Sequence, residues 1–225
     1  MHLSRPLSQR QRVVASLAGM TAVSVGLFFA GSIANKSLQF DYLLWNLFLA
    51  WLPLVFALLL LRSLRTRLWS SWLPLLLTLL WLIILPNSFY MISDFVHIQD
   101  VARTSLLYDV VMFTAFIFTA SLLGFTSVYM VHAELRKRMS MRASSIIVGI
   151  ILFLCSFAIY LGRDLRWNSW DVFLNPAGIL FDVSDHLIHP LRHGDVLTTT
   201  LSFFVLLGSM YVLGWQLGEA TRQKP

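Results

Sequence analysis

The feature that most constrains this chain is a series of long apolar runs that recurs from one end of the sequence to the other. About 20 consecutive apolar residues suffice to cross the hydrocarbon core of a bilayer as an α-helix. A chain in lipid must satisfy its backbone hydrogen bonds internally, and a helix does so within one segment. The sequence therefore predicts an all-α, polytopic transmembrane bundle of about six spans, at residues 13–33, 43–61, 69–86, 108–131, 145–162 and 196–217.

The composition agrees with a membrane protein and excludes several other classes. Of the 225 residues, 57% are hydrophobic and 12% are charged, which is too few charges for an ordinary soluble domain. Because the spans use so much of the chain, residues 1–225 are predicted to form a single integral membrane domain. The lone cysteine, Cys155, excludes a disulfide framework. The first apolar run is too long for a signal peptide, and we expect it to remain as the first helix.

The basic residues predict how the chain is oriented. The two termini and the loops 62–68 and 132–144 hold 12 of the 17 lysines and arginines, whereas the opposite face holds nine of the eleven acids. Lysine and arginine concentrate in the cytoplasmic loops of membrane proteins. We therefore expect both termini in the cytoplasm, and short interfacial helices in the loops of the outer face. Topology accounts for the net charge of +6, and the bilayer rather than nucleic acid is the expected partner.

The first candidate site follows the third apolar run. If residues 88–98 form a short helix, Asp94 and His97 lie three residues apart and share a face. An aspartate beside a histidine can fix its tautomer, raise its basicity or bind a metal with it. Asp109, at the start of the fourth run, is a candidate third member of this catalytic group. In the structural alternative, the carboxylates of Asp94 and Asp109 stabilise helix N-termini.

The second candidate site is a binding site that lies after the fifth run. The planar guanidinium groups of Arg163 and Arg166 suit a carboxylate or a phosphate. They are expected either to hold an anionic lipid headgroup at the outer leaflet or to pair with aspartates of neighbouring loops. The other candidate binding residues are polar side chains of the same face: Asn87, Asn168 and Asp171.

A third polar group is a stripe on a predicted amphipathic helix that begins after Asn175. The stripe consists of Asp182, Asp185, His186 and His189, whose spacings of three and four residues place them on one helix face. Two carboxylates and two imidazoles could bind a cation such as zinc. Their spacing matches no known zinc motif, and a solvated polar face explains it as well. No cofactor is predicted.

At several of these residues the chain resembles a bacterial family of multi-pass membrane proteins, domain of unknown function 1361. The resemblance covers most of residues 43–215, and four pieces carry it: Trp45-Asn46 through Trp51-Leu52-Pro53, Leu85-Pro86-Asn87-Ser88-Phe89-Tyr90 with Asp94 and His97, Tyr108-Asp109, and the run from Tyr160 to Asp171. Where the family has alanine-proline after the asparagine, this chain has Ser88-Phe89. The resemblance implies an integral membrane protein, and it brings no established activity. We expect the protein in the bacterial cytoplasmic (inner) membrane.

Three functions remain open from the sequence. The first is a structural or accessory membrane component whose polar residues pair with one another. The second is a membrane-embedded enzyme that acts on a lipid or envelope substrate at the outer face, with His97 as general base, Asp94 and Asp109 orienting it, and the arginines holding an anion. The third is a small transporter. The sequence does not identify any protein partner or exclude one.

Overall fold

A computed structural model describes residues 8–100, 106–163, 165, 167, 171–188 and 194–222. The regular structure in these residues is helical throughout, as the sequence predicts. Nine α-helices and one 3₁₀ segment follow one another along this part of the chain: α1 Gln9–Asn35, α2 Tyr42–Ser63, α3 Trp72–Ile84, α4 Pro86–Tyr90, the 3₁₀ segment Met91–Asp100, α5 Leu106–Leu135, α6 Met141–Arg163, α7 Asp171–Leu174, α8 Pro176–Ile188 and α9 Gly194–Arg222.

Six helical stretches in the described residues are long and apolar enough to cross a membrane, which confirms the predicted polytopic bundle. They are Gln9–Asn35, Tyr42–Ser63, Trp72–Ile98, Leu106–Leu135, Met141–Arg163 and Asp195–Ala220. The short helices α7 and α8 lie in the connection between the fifth and sixth spans, whereas α4 and the 3₁₀ segment continue the third span as far as Ile98. Five of the long helices extend beyond the predicted runs, by up to five residues, because polar residues at their ends continue the helical path.

The third span differs most from the sequence prediction, which places its end at Pro86. Helix α3 has only 13 residues, or about 20 Å at 1.5 Å per residue, which is shorter than a hydrocarbon core of about 30 Å. Proline removes a backbone donor but fits the first position of a helix, where that donor has no partner. Pro86 therefore begins α4, and the chain stays helical through Ile98.

Helix α5 lies at the centre of the bundle and is the most buried of the six spans. It packs against α1 and α2, while α2 also packs against α3, and α6 pairs with α9. Helix α4 joins these groups because it contacts α2, α5 and α6. The fully buried Phe89 of α4 lies in the same apolar cluster as Trp81 of α3 and Leu152 of α6.

Hydrogen bonds between side chains connect the spans to one another. Trp51 Nε1 of α2 donates to Thr21 of α1 over 3.1 Å, and the hydroxyls of Ser24 and Thr119 lie 3.2 Å apart between α1 and α5. Such bonds help to fix which helices are neighbours, because lipid and protein interior are equally apolar and hydrophobicity alone gives helices little preference.

His132 connects three helices at the end of the bundle where α5 ends and α6 begins. Its Nδ1 lies 2.8 Å from the hydroxyl of Tyr211 on α9, and its Nε2 lies 3.2 Å from the hydroxyl of Ser144 on α6. The imidazole is buried, and both of its ring nitrogens have a partner. The sequence analysis did not single out this histidine, because a single polar residue near the end of an apolar run carries no recognisable pattern.

Gly124 lets α4 approach α5 closely. A Cβ added at Gly124 would lie 2.7 Å from Ser88 Cβ and 2.8 Å from Phe89 Cζ, which is too close for real atoms. The approach also allows the Ser88 hydroxyl to donate to the Ala50 carbonyl of α2 over 3.1 Å. The absence of a side chain at Gly124 therefore allows α4 to pack directly against α5. This packing also positions the 3₁₀ segment, which follows α4 in the chain.

We expect Gly124→Leu to lower the free energy of unfolding by about 1–3 kcal/mol, because overpacking forces α4 away from α5. The control is Gly149→Leu on α6, where an added Cβ meets nothing within 4 Å. Unfolding of the purified protein by sodium dodecyl sulfate in mixed micelles measures both variants. Equal stability of the two variants would contradict the close approach at Gly124.

Candidate functional site

A cavity of about 510 Å³ lies at the end of the bundle where α2 begins and α6 ends. Six helical elements contribute to its wall, namely α2, α3, α4, the 3₁₀ segment, the end of α6 and α8. Its polar members are Asn46, Asn87, Asp94, His97 and Arg163, and its aromatic members are Tyr42, Trp45, Tyr90 and Trp167. The cavity therefore combines charged groups with aromatic rings near one end of the membrane-spanning bundle.

Asp94 lies at the centre of the polar wall and is only 2% exposed. Its Oδ2 accepts a 3.2 Å hydrogen bond from Asn46 Nδ2 of α2, and its Oδ1 accepts a 3.5 Å hydrogen bond from Arg163 Nη1 of α6. A buried carboxylate is costly unless it is paired. Both oxygens have a partner here, so Asp94 joins α2, the 3₁₀ segment and α6 in one polar cluster.

His97 lines the same cavity as Asp94, as their spacing in the sequence predicts. In a 3₁₀ helix the side chains at positions i and i+3 are eclipsed, so the two residues lie on the same side of the segment. The His97 ring packs edge-on against Tyr42, with 5.8 Å between the ring centroids. His97 is half-buried, whereas Asp94 is buried.

Arg163 is the last residue of α6, where the helix dipole favours a cation. Its side chain is 22% exposed and makes a single ion pair, to Asp94, among the described residues. A guanidinium carries five N–H donors in a planar fork, so the pair uses only part of its capacity. Gly162 before it allows the Tyr90 ring to approach, because an added Cβ there would lie 3.1 Å from Tyr90 Cε2.

Asn87 also lines the cavity, next to the proline that begins α4. Its Nδ2 donates to the Ile84 carbonyl over 2.9 Å. This bond satisfies a carbonyl at the end of α3, because the Ser88 N–H four residues later donates to the Leu85 carbonyl instead. Asn87 thus has a structural role at the junction, and it also presents its amide to the cavity.

The other predicted site residues do not line the cavity or lie outside the described residues. Asp109 is buried in the first turn of α5, a position where the helix dipole favours a carboxylate. Asp171 is the first residue of α7. Neither residue belongs to the cavity wall. Arg166 and Asn168 lie outside the described part of the chain, so their predicted binding roles stay predictions.

The predicted metal-binding stripe falls on α8, which confirms the helix that carries it. Asp182 accepts a 2.8 Å hydrogen bond from Trp167 Nε1, so its carboxylate supports a residue of the cavity wall. The side chains of Asp185 and His186 are not described, and His189 lies beyond the described residues. The metal prediction for this stripe therefore remains a prediction.

Several wall residues were not identified as site residues from the sequence. The most important is Asn46, an amide inside an apolar run, and such placement in a membrane span is itself a functional signal. Tyr42, Trp45, Tyr90 and Trp167 contribute rings to the wall. In the sequence they are indistinguishable from the aromatic residues that lie at any membrane interface.

The chemistry of the cavity is that of a site with more donors than acceptors. Both oxygens of Asp94 are already bonded, whereas the Arg163 guanidinium retains N–H groups beyond the one that contacts Asp94. A group rich in acceptor oxygens, such as a phosphate, fits that surplus. The surrounding rings fit the apolar part of an amphipathic molecule.

Comparison with known proteins gives one match. A family described as Protein of unknown function (DUF1361) matches residues 45–212, a range that contains every wall residue of the cavity except Tyr42. No curated protein and no solved structure matches the chain.

Proposed function

This chain belongs to the DUF1361 family of proteins of unknown function, and for this integral membrane protein we propose a binding function. The Asp94 cavity binds the phosphate-bearing headgroup of an envelope molecule, and the protein acts as an accessory membrane component that holds this ligand. One observation carries the proposal: Arg163, Asp94 and Asn46 come from three separate elements and meet in the wall of one cavity of about 510 Å³.

The size of the cavity supports a ligand rather than a purely structural ion pair. Small-molecule sites have volumes of about 300–1,000 Å³ and combine apolar walls with a few placed polar groups. An ion pair that only joined helices would be more stable with close packing around it, because voids forfeit van der Waals contacts. Here the pair lies instead beside open volume with aromatic walls.

The proposal includes an orientation in which the cavity faces the extracytoplasmic side of the inner membrane. Support comes from the basic loops 62–68 and 132–144, which lie at the opposite end of the spans from the cavity. Fusions of alkaline phosphatase, which is active only outside the cytoplasm, test the orientation. We expect an active fusion at residue 38 and an inactive one at residue 138. The reverse pattern would place the cavity in the cytoplasm.

We expect Arg163→Gln to weaken headgroup binding by about tenfold, the effect of losing one hydrogen bond to a charged group. Native mass spectrometry of the detergent-purified protein with added phosphatidylglycerol measures the occupancy. The matched control is Arg142→Gln, which removes an exposed arginine from the other end of α6. A result in which both variants retain the wild-type occupancy would contradict the role of Arg163.

A second candidate function is an enzyme, favoured by the placement of Asp94 and His97 on one side of the 3₁₀ segment, both in the cavity wall. His97 would take a proton from an attacking hydroxyl, and Arg163 would hold the anionic part of the substrate. Membranes incubated with the wild type and with His97→Gln distinguish the two functions. A lipid product that forms only with the wild type supports the enzyme, whereas identical lipid profiles with intact headgroup binding support a binding protein.

A further inference from the structure

A groove lies at the opposite end of the bundle, between α1, α5 and α9. Its mouth encloses about 830 Å³, and no residue of this mouth belongs to the Asp94 cavity. Charged and aromatic residues surround the mouth: Arg10, Tyr129, Glu134, Arg136, Lys137, Trp215 and Glu219. The groove is therefore separate from the site proposed above.

The mouth of the groove carries more positive than negative charge. Arg136 pairs with Glu219 over 3.2 Å, and Lys137 pairs with Glu134 over 2.6 Å. These pairs leave Arg10 of α1, which is exposed and makes no ion pair with the described residues. One cation at the mouth thus remains available for an anion from outside the chain.

Trp215 provides a second, independent sign of a missing partner. It lines the groove, is 5% exposed, and its indole Nε1 has no hydrogen-bond acceptor among the described residues. The indole lies against the His132 ring, with 4.2 Å between centroids, and the Arg136 guanidinium carbon lies 5.2 Å from its centre. A buried donor without an acceptor is destabilising. A bound oxygen at this wall would remove that cost.

The groove continues from its charged mouth into an apolar part. A second cavity of about 290 Å³ adds Leu122 and Phe125 of α5 and Met210 and Tyr211 of α9 to the lining. It shares five residues with the mouth, namely Val13, Thr126, Tyr129, Gly214 and Trp215. The combined shape has a charged opening at the end of the spans and an apolar channel that runs along them.

We propose that this groove binds one glycerophospholipid with an acidic headgroup. The phosphate lies at the mouth beside Arg10 and the indole N–H of Trp215, and one acyl chain lies along the apolar channel past Gly214. The charge at the mouth selects an anionic over a zwitterionic headgroup, and the channel requires an acyl chain. The site shares no residue with the Asp94 cavity, so this proposal can be tested independently of the headgroup binding proposed there.

The test uses a glycine that borders the groove. An added Cβ at Gly214 meets nothing within 4 Å, so a side chain can begin there without a clash, and Gly214→Leu places its bulk in the channel. Gly208→Leu is the matched control, because Gly208 lies on the same helix, is equally open and does not line the groove. All variants carry Arg163→Gln, so that the Asp94 cavity makes the same reduced contribution in each. Native mass spectrometry measures the retained lipid with phosphatidylglycerol, phosphatidylethanolamine or inorganic phosphate as the probe.

We expect the Gly208→Leu protein to retain one phosphatidylglycerol. In the Gly214→Leu protein, the phosphatidylglycerol occupancy should be at least about tenfold lower than in Gly208→Leu. Arg10→Gln should reduce the preference for phosphatidylglycerol over phosphatidylethanolamine by about tenfold, the effect of one charged hydrogen bond. Equal retention in the Gly214→Leu and Gly208→Leu proteins would overturn the proposal. Equal retention of the two lipids, or displacement of phosphatidylglycerol by inorganic phosphate alone, would overturn it as well.

Discussion

Replacing Trp81 with alanine is expected to lower the free energy of unfolding by about 3–5 kcal/mol, the range for removal of a large buried aromatic side chain. Trp81 on α3 is 1% exposed, and its indole Nε1 donates to the Ser127 hydroxyl of α5 over 3.2 Å. The substitution leaves a cavity between α3 and α5 and removes the hydrogen bond that the Ser127 hydroxyl accepts, while that hydroxyl still donates to the Gly124 carbonyl. Unfolding by sodium dodecyl sulfate in mixed micelles measures the loss.

Trp72 on the same helix is the matched control, because it is 68% exposed. Trp72→Ala should change the free energy of unfolding by less than about 0.5 kcal/mol, as expected for an exposed position. Trp81→Phe keeps most of the ring and loses the hydrogen bond, so it should cost about 1 kcal/mol. Similar losses in the two alanine variants would mean that interfacial anchoring, and not core packing, explains the role of tryptophan in α3.

The second large effect is expected at the cavity, where Asp94→Ala should cost about 3 kcal/mol, the low end of the range for breaking a buried ion pair. The low end applies because the Arg163 side chain is partly exposed and water can replace part of the lost interaction. The substitution leaves Arg163 and Asn46 without the carboxylate that joins them. The same unfolding assay measures the loss.

A double-mutant cycle measures the interaction energy between Asp94 and Arg163 separately from the contacts that each residue makes with the rest of the protein. The loss in Asp94→Ala combined with Arg163→Ala should fall short of the sum of the single losses by about 1 kcal/mol or more, since the residues are in contact. Asp41→Ala is the control at the same end of the bundle, because Asp41 is exposed and should cost less than about 0.5 kcal/mol. Strict additivity of the two losses would show that the contact contributes nothing.

The sequence predicts where the spans lie along the chain better than it predicts which spans pack against each other. A run such as residues 43–61 identifies a transmembrane helix because the backbone must be satisfied within lipid. The same run does not show which face packs against protein, since lipid and core are both apolar. On α5, for example, Phe116 is fully buried and Phe118 is exposed. No alternation of polar and apolar residues marks that difference.

The candidate site illustrates the same limit. The placement of Asp94 and His97 in one cavity wall is local, because their spacing of three residues puts them on one side of the 3₁₀ segment. Asn46 and Arg163 lie 48 and 69 residues from Asp94 along the chain. Their meeting depends on how α2, α6 and the 3₁₀ segment pack, which in turn depends on close approaches such as that at Gly124. These features are steric and have no signature in a single sequence.

Helix α3 shows how a correct local rule can give an incomplete prediction. Proline does end the continuous hydrogen bonding of α3, as expected. It does not end the membrane-spanning segment, because 13 residues are too short to cross the bilayer and the chain continues as α4. The length needed to cross the bilayer therefore outweighs the helix-ending effect of Pro86. The continued helix brings Asp94 into the bundle beside α2 and α6.

The central claim is that Arg163 holds a phosphate-bearing headgroup in the Asp94 cavity, and a distance measurement tests it most directly. Solid-state NMR on protein with ¹⁵N-labelled arginine in phosphatidylglycerol membranes detects guanidinium nitrogens within about 4 Å of a phosphorus atom, the separation in an arginine–phosphate contact. The protein carries Gly214→Leu, so that a lipid in the groove between α1, α5 and α9 does not contribute to the signal. We predict a ¹⁵N–³¹P contact that persists in Arg142→Gln and disappears in Arg163→Gln. A contact that survives Arg163→Gln, or no contact in the parent protein, would contradict the claim.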